Sequence, residues 1–341
     1  MIPVNFQALV EAPNICARVT TQDRESYTIE YENNTDRIAT RAELSGRFRH
    51  SCTCFSDFPV VGDYVEATLS GELAIINSVL PRKNLMARRG IYGSHEMQPI
   101  ASNLDRLFIV MSVNRDFNPR RIERYLVAAS AYEVPSAVVL SKVDLCDEPE
   151  LFVSALQDLL EDTPILCISA FDKSSLAQFD QFRGHDQSIS FVGSSGVGKS
   201  TLINALLEEN QLEVSAIREN DQRGRHTTTR RSLLYLSDGT AVIDTPGMRE
   251  FALADAEEGV QHMFSDIANL SLSCKFSNCK HNSEPGCAVK QSVDDSRLES
   301  WRKLEKEAAF EARKSNRLLA EQERQKWKTI HKANRQRQRE R

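Results

Sequence analysis

The chain has 341 residues, 40% of them hydrophobic and 27% charged, with a net charge of −5, which leaves room for two or three domains of roughly 100–200 residues. No apolar run approaches the roughly 20 residues of a membrane span, and Met1 to Val10 lacks the basic start and apolar stretch of a secretion signal. A cytoplasmic protein without a membrane partner is expected.

The charge is unevenly spread. Eleven Lys or Arg stand against three Glu between Arg313 and Arg341, net +8, so from the total of −5 the remainder is acidic by 13. An acidic body with a basic tail is attracted to phosphate through the tail. Of eight cysteines, Cys274, Cys279 and Cys287 crowd around His281, while Cys16, Cys146 and Cys167 sit singly in apolar surroundings. That is metal-site usage in a reducing compartment, not a disulfide framework.

Residues 1 to about 100 read as short strands between polar turns: Ile15 to Thr20, Tyr27 to Tyr31, Arg37 to Leu44, Tyr64 to Leu69 and Leu73 to Val79. Five short strands favour a small barrel of the oligonucleotide-binding (OB) type. Cys52 and Cys54 are too close to chelate together and are assigned to strand or loop. The basic run from Pro81 to Gly90 is expected to solubilise a linker.

From Asn103 strands and helices alternate. Leu107 to Val113 is a continuous apolar run of the kind buried on both faces of a parallel sheet. A helix from Pro119 to Ala131 comes after it, with Asn118 as N-cap and Pro119 at the first helical position. Next come strand Ser136 to Leu140, helix Glu148 to Leu160, strands Ile165 to Ser169 and Ile189 to Val192, and strand Thr240 to Ile243. The pattern is a doubly wound α/β domain, which gathers ligands at the carboxyl ends of its strands.

Those ends carry the chemistry. Gly193-Ser194-Ser195-Gly196-Val197-Gly198-Lys199-Ser200, continued by Thr201 and an apolar helix start, matches G-x-x-x-x-G-K-[ST] between a strand and a helix. Its backbone N–H groups converge on phosphate, Lys199 reaches the β- and γ-phosphates, and Ser200 ligates Mg²⁺. Ser141-Lys142-Val143-Asp144 resembles the guanine-reading N-K-x-D motif of GTPases. Asp144 accepts from the ring N–H and the exocyclic amine of guanine, a pair that adenine lacks, and this disfavours an ATP-using protein. Lys142 lays its stem on the base, and Ser141 replaces the usual Asn with a shorter side chain. Ser169-Ala170 is similar to the S-A motif that supports the guanine carbonyl. Asp244-Thr245-Pro246-Gly247 matches D-x-x-G, in which the Asp holds Mg²⁺ through water and the Gly N–H senses the γ-phosphate. Arg223 to Thr229 supplies a glycine-containing loop whose threonines can close on Mg²⁺; Thr228 is the chosen candidate among Thr227, Thr228 and Thr229.

Motif order is the anomaly. A usual GTPase runs phosphate loop, switch threonine, D-x-x-G, N-K-x-D, S-A, whereas here the last two come first, so the chain is a circular permutation. The second switch then leads straight into the segment beyond Gly247. That segment carries Cys274-x₄-Cys279-x-His281-x₅-Cys287, three thiolates and an imidazole that satisfy tetrahedral Zn²⁺ with no open position, hence a structural site. From Asp294 the pattern is helical, with Trp301, Leu304, Ala308, Leu318 and Leu319 on one side, and past Leu319 the chain reads as a partly ordered basic arm.

Barrel, permuted GTPase with GSSGVGKS, RGRHTTT and DTPG, and this Cys/His spacing together resemble the ribosome small-subunit-dependent GTPases known as RsgA or YjeQ, over residues 10 to 300. The expected domains are an OB barrel at 1–100, the permuted GTPase at 101–253, a zinc-binding, mostly helical domain at 254–300 and a helical basic tail at 301–341. The resemblance implies a monomeric bacterial factor that binds the small ribosomal subunit late in maturation, grips its rRNA through barrel and zinc domain, and hydrolyses GTP to GDP when the subunit stimulates it. The alternative is an RNA-binding assembly factor in which hydrolysis is incidental. Hydrolysis needs a group that orients water, and Met248 stands where many GTPases place Gln. His226, beside the switch threonines and matching the family's histidine, is the candidate; the competing reading is that His226 is a loop residue and the ribosome supplies the missing group.

Overall fold

Strand β1 (Ile15–Gln22) alternates buried Ala17 and Val19 with neighbours that leave the barrel interior. It opens a barrel with β2 (Tyr27–Asn33), β3 (Asp36–Leu44), β4 (Tyr64–Ser70) and β5 (Leu73–Val79). The computed structural model describes residues 2–23, 26–33, 36–89, 97–157, 160, 162–208, 231–244 and 257–310. Antiparallel pairs β1–β2, β2–β3, β4–β5 and β1–β4, with the parallel pair β3–β5, close the five strands into a ring. The interior is filled by Ala17, Val19, Tyr27, Ile29, Ala42, Val65, Ala67, Ala74 and Ile76. Alanines from four different strands let so narrow a barrel close without voids. A short helix, Gly46–Ser51, is capped by the Ser45 hydroxyl and lays Phe48 on the barrel core.

The basic run after the barrel is not a linker. It forms β6 (Leu85–Arg89), paired antiparallel with β7 (Met97–Ser102). Met86 and Ala87 are buried at a bulge while Arg88 bonds Gln98 on the partner strand. Arg82 does not solubilise: its fork takes both oxygens of the fully buried Asp63, at 2.7 and 2.6 Å. A planar guanidinium satisfies a desolvated carboxylate bidentately, which the composition of the run concealed.

The second sheet layer contains β8 (Arg106–Ser112), β9 (Ser136–Ser141), β10 (Ile165–Ile168), β11 (Ser188–Val192), β12 (Arg231–Tyr235) and β13 (Ala241–Asp244), in the order β10-β9-β8-β11-β13-β12. All run parallel except β12, which is antiparallel to β13 and to β1. β12 was absent from the expected elements, and it joins barrel and α/β sheet into one 11-stranded array through Thr21↔Ser232 and Gln22↔Arg231. Helix Pro119–Ala131 has the expected bounds and cap, with Asn118 Oδ1 accepting from Arg121 N; such a cap contributes about 1 kcal/mol. Helix Pro149–Gln157 is shorter than expected in its described part. Phe108, Phe179 and Phe191 stack and cross edge-on at centroid distances of 4.9–6.0 Å, fixing β8 and β11 side by side beneath the ligand end of the sheet.

Residues Met1–Ala252 make one compact unit and Leu253–Arg341 another. In the second, helices Glu257–Met263, Ser265–Ser271, Ala288–Ser292 and residues 295–310 flank a stretch of turns and loop over residues 272–287. Phe264, Ile267, Val289, Leu298, Leu304 and Ala308 form its buried side. Arg297 clamps Asp266 with two bonds of 2.9 Å. Leu318, Leu319 and the basic arm beyond them lie outside the described residues.

Candidate nucleotide site and metal cluster

Residues 193–198 form the turn between β11 and helix Lys199–Leu207. Gly193 (φ +147°) and Gly198 (φ +94°) have backbone conformations that side chains rarely adopt, and a Cβ on Gly193 would stand 2.2 Å from the Val110 carbonyl oxygen. The loop is therefore pressed onto the end of β8. Val197 drops its side chain into the core at 3% exposure, pinning the other half of the loop. Lys199 folds back over the turn, Nζ donating to the carbonyls of Gly193 and Ser194 at 2.7 Å each. Ser200 and Thr201 stand in the first helical turn, half-buried, while Ser195 and Gly196 are exposed.

Parallel pairing sets the neighbouring strand ends around this turn. Asp244 ends β13, one residue past the Ser190↔Ile243 pair, and Ser190 Oγ donates to Ile243 O at 2.8 Å. Burial raises the Asp244 carboxyl above its ordinary value, and the nearby Lys199 ammonium opposes that shift. A half-buried carboxylate beside this lysine is a fit location for a divalent cation. Ser141 ends β9 opposite Ser112 of β8 and Ile168 of β10. Its hydroxyl, on a residue only 6% exposed, donates to Val197 O at 2.7 Å, with Met111 O at 3.3 Å. The replacement of Asn by Ser thus keeps a tether to the phosphate loop but spends its single proton there.

Lys142 adopts the left-handed conformation (φ +62°), and its Nζ donates to Gly196 O at 2.7 Å, laying the stem across the loop toward Gly198. Asp144 is exposed in the short turn Val143–Leu145. At the end of β10 the Ser169 N–H is taken by Ser175 Oγ at 3.1 Å, and Ser169 Oγ accepts from Phe171 N. His226, Thr227, Thr228, Thr229, Thr245, Gly247 and Met248 lie outside the described residues.

One contact is not among the sequence expectations: Arg121, in the first turn of helix Pro119–Ala131, donates from Nη1 to Ser194 Oγ at 2.6 Å. A basic residue at the start of the helix after β8 was the available hint, since that strand neighbours β11.

In the second unit, Cys274, Cys279, His281 and Cys287 bring one ligand atom each within 4.8 Å of one another. His281 Nδ1 lies 3.6 Å from Cys274 Sγ and 3.4 Å from Cys287 Sγ, and the two sulfurs are 4.0 Å apart. A tetrahedron with metal–sulfur bonds of about 2.3 Å and a metal–nitrogen bond of about 2.0 Å has edges of about 3.8 and 3.5 Å, so the set fits a four-coordinate metal ion. His281 and Cys287 are buried, His281 has a left-handed backbone (φ +57°), and its carbonyl accepts from Arg302 while its ring leans on Trp301. Lys290 N donates to Cys287 Sγ at 3.4 Å, a second-layer bond that favours a thiolate. All eight cysteines are unpaired, and Cys52 and Cys54 lie in loop as expected.

Residues 79–254 match the family model described as RsgA GTPase. The chain belongs to the RsgA GTPase family. It is a GTP hydrolase, and the chemistry of that class takes GTP with Mg²⁺. A relative from Oceanobacillus iheyensis, "Small ribosomal subunit biogenesis GTPase RsgA 1", is 37% identical over 96% of this chain and 93% of its own length. The crystal structure of YjeQ from Thermotoga maritima aligns with a TM-score of 0.60 and 29% identity, over 86% of this chain and 98% of that one. The structure of YloQ, described as a circularly permuted GTPase, shares the fold with a TM-score of 0.61 over 87% and 95% of the two chains. RsgA membership accounts for the order of the strand ends, in which Ser141–Asp144 and Ser169–Ala170 precede the phosphate loop and Asp244 comes after it. No helix among the described residues is long and apolar enough to cross a membrane.

Proposed function

We propose that the chain binds the small ribosomal subunit late in its maturation and hydrolyses GTP to GDP and phosphate when the subunit stimulates it. The observation that carries this reading is the convergence of Ser141, Lys142, Gly193–Thr201 and Asp244 on one end of the permuted sheet, joined to the similarity to the Oceanobacillus small ribosomal subunit biogenesis GTPase. In this reading Asp144 reads guanine, Lys142 covers the base, and Ala170 N–H meets the guanine carbonyl. Lys199 serves the β- and γ-phosphates, and Ser200, Thr228 and Asp244 hold Mg²⁺. His226 holds the attacking water, the role that Met248 cannot take. Bound GTP holds the subunit-binding conformation, and its hydrolysis releases the factor.

Cys274, Cys279, His281 and Cys287 hold one structural Zn²⁺; the three-thiolate set and the lack of a fifth donor among the described residues support zinc. The barrel (1–100), the permuted GTPase (101–253), the zinc domain (254–300) and the basic tail (301–341) work as one cytoplasmic monomer, with barrel and zinc domain on rRNA. GTP turnover with and without purified small subunits tests the reading. Strong stimulation is expected, and it is lost in Lys199→Ala. Equal rates with and without subunits would leave an RNA-binding factor with incidental hydrolysis.

A further inference from the structure

Three arginines occupy the first two turns of helix Pro119–Ala131, and they are not equivalent. Arg120 is neutralised by the fully buried Glu123 carboxylate at 2.7 Å. Arg121 is half-buried and, among the described residues, has no carboxylate within ion-pairing distance; its one side-chain bond there is the 2.6 Å contact to Ser194 Oγ. On the same residue Lys199 Nζ holds the Ser194 carbonyl at 2.7 Å. Two cations thus bracket one residue of the phosphate loop, within about 9 Å of each other, the sum of two hydrogen bonds and the breadth of a residue. Partly desolvated like charges at that separation repel, and an anion beside them relieves the repulsion.

We propose that Arg121 is a positioning residue for the terminal phosphate of GTP: it sets the first half of the phosphate loop through Ser194 and favours the nucleotide with the larger charge. The inference rests on the nucleotide-site reading above. Lys199 is the group that meets the β- and γ-phosphates, and it rests on Ser194, so the Arg121 charge stands at the triphosphate's outer end. Adding the γ-phosphate adds negative charge there, and Arg121 discriminates GTP from GDP by its field. The Ser194 bond uses one of the five guanidinium donors.

The test is equilibrium titration of wild type, Arg121→Gln, Arg121→Lys, Ser194→Ala and Lys199→Ala with GDP and with a non-hydrolysable GTP analogue, in Mg²⁺. Arg121→Gln keeps a donor and removes the charge. It is expected to weaken analogue binding about tenfold and GDP binding less than about threefold, with Arg121→Lys recovering most of the loss. Ser194→Ala, which frees Arg121 from the loop, is expected to lower the analogue-to-GDP preference in the same direction. Equal losses for both nucleotides, or an unchanged preference in Arg121→Gln and Ser194→Ala, would overturn the proposal and reduce Arg121 to a staple between helix and loop. Wild type that binds neither nucleotide, or Lys199→Ala that binds both normally, would overturn the nucleotide-site reading and this inference with it.

Discussion

Replacing Ser141 by Ala removes the hydroxyl that holds Val197 O at 2.7 Å, in a place where Ser141 is only 6% exposed and water cannot substitute. A buried acceptor left without its donor costs about 1–3 kcal/mol. In a unit of this size that cost lowers Tm by about 2–4 °C per kcal/mol. Because the orphaned carbonyl belongs to the phosphate loop, the same loss is expected in nucleotide affinity, about tenfold for each 1.4 kcal/mol. Ser141→Asn acts oppositely. An amide has two N–H donors, so one retains Val197 O and the other is free for an acceptor on the purine edge. One added neutral hydrogen bond is worth about 0.5–1.5 kcal/mol, or roughly two- to thirteenfold tighter binding. Titration with a fluorescent GDP analogue, together with thermal unfolding of both variants, measures the effect. Ser141→Ala with wild-type Tm and affinity would refute the reasoning.

Gly193→Ala puts a Cβ 2.2 Å from the Val110 carbonyl at φ +147°; the expected cost is about 2–4 kcal/mol with loss of most nucleotide binding, and a wild-type unfolding curve would contradict it. Cys279→Ser is expected to lose one equivalent of zinc and the helical circular dichroism of the second unit, since a structural zinc supplies on the order of 10 kcal/mol of folding free energy; metal analysis that finds no zinc in the wild type would refute the assignment. Burial holds the Glu30 carboxyl above its ordinary 4.5, while Arg37, Arg18 and a bond from Tyr235 pull it down. Below about pH 4.5 the group is protonated in both folded and unfolded chains and contributes nothing; as pH rises through the raised value the fold loses stability. Glu30→Gln is expected to flatten that slope in Tm measured from about pH 4 to about pH 8 and to leave the protein at least as stable at neutral pH; an unchanged slope would count against it.

Where chemistry is local, it was legible in residue types and spacing. Asn118 before Pro119 marked a helix start because a cap and a ring-fixed φ act within one turn. The glycines of the phosphate loop were legible because few other residues tolerate their backbone angles. Cys274, Cys279, His281 and Cys287 could be read together because a loop of fourteen residues can bring four ligands onto one centre without help from the rest of the fold. Arg82 was misread because a guanidinium facing solvent and one forked onto buried Asp63 look alike in sequence.

By itself the sequence determined the order of the motifs, the phosphate loop and the Cys/His set, each fixed by stereochemistry within a few residues. Only the tertiary structure decided that β12 joins barrel to sheet, that Ser141 points at Val197 and that Arg121 reaches Ser194. Such contacts join residues far apart in the chain; Gln22 and Arg231, paired across the junction of barrel and sheet, are separated by 209 positions. Their donors and acceptors are common residue types, and only the closing of the chain on itself selects which of them meet.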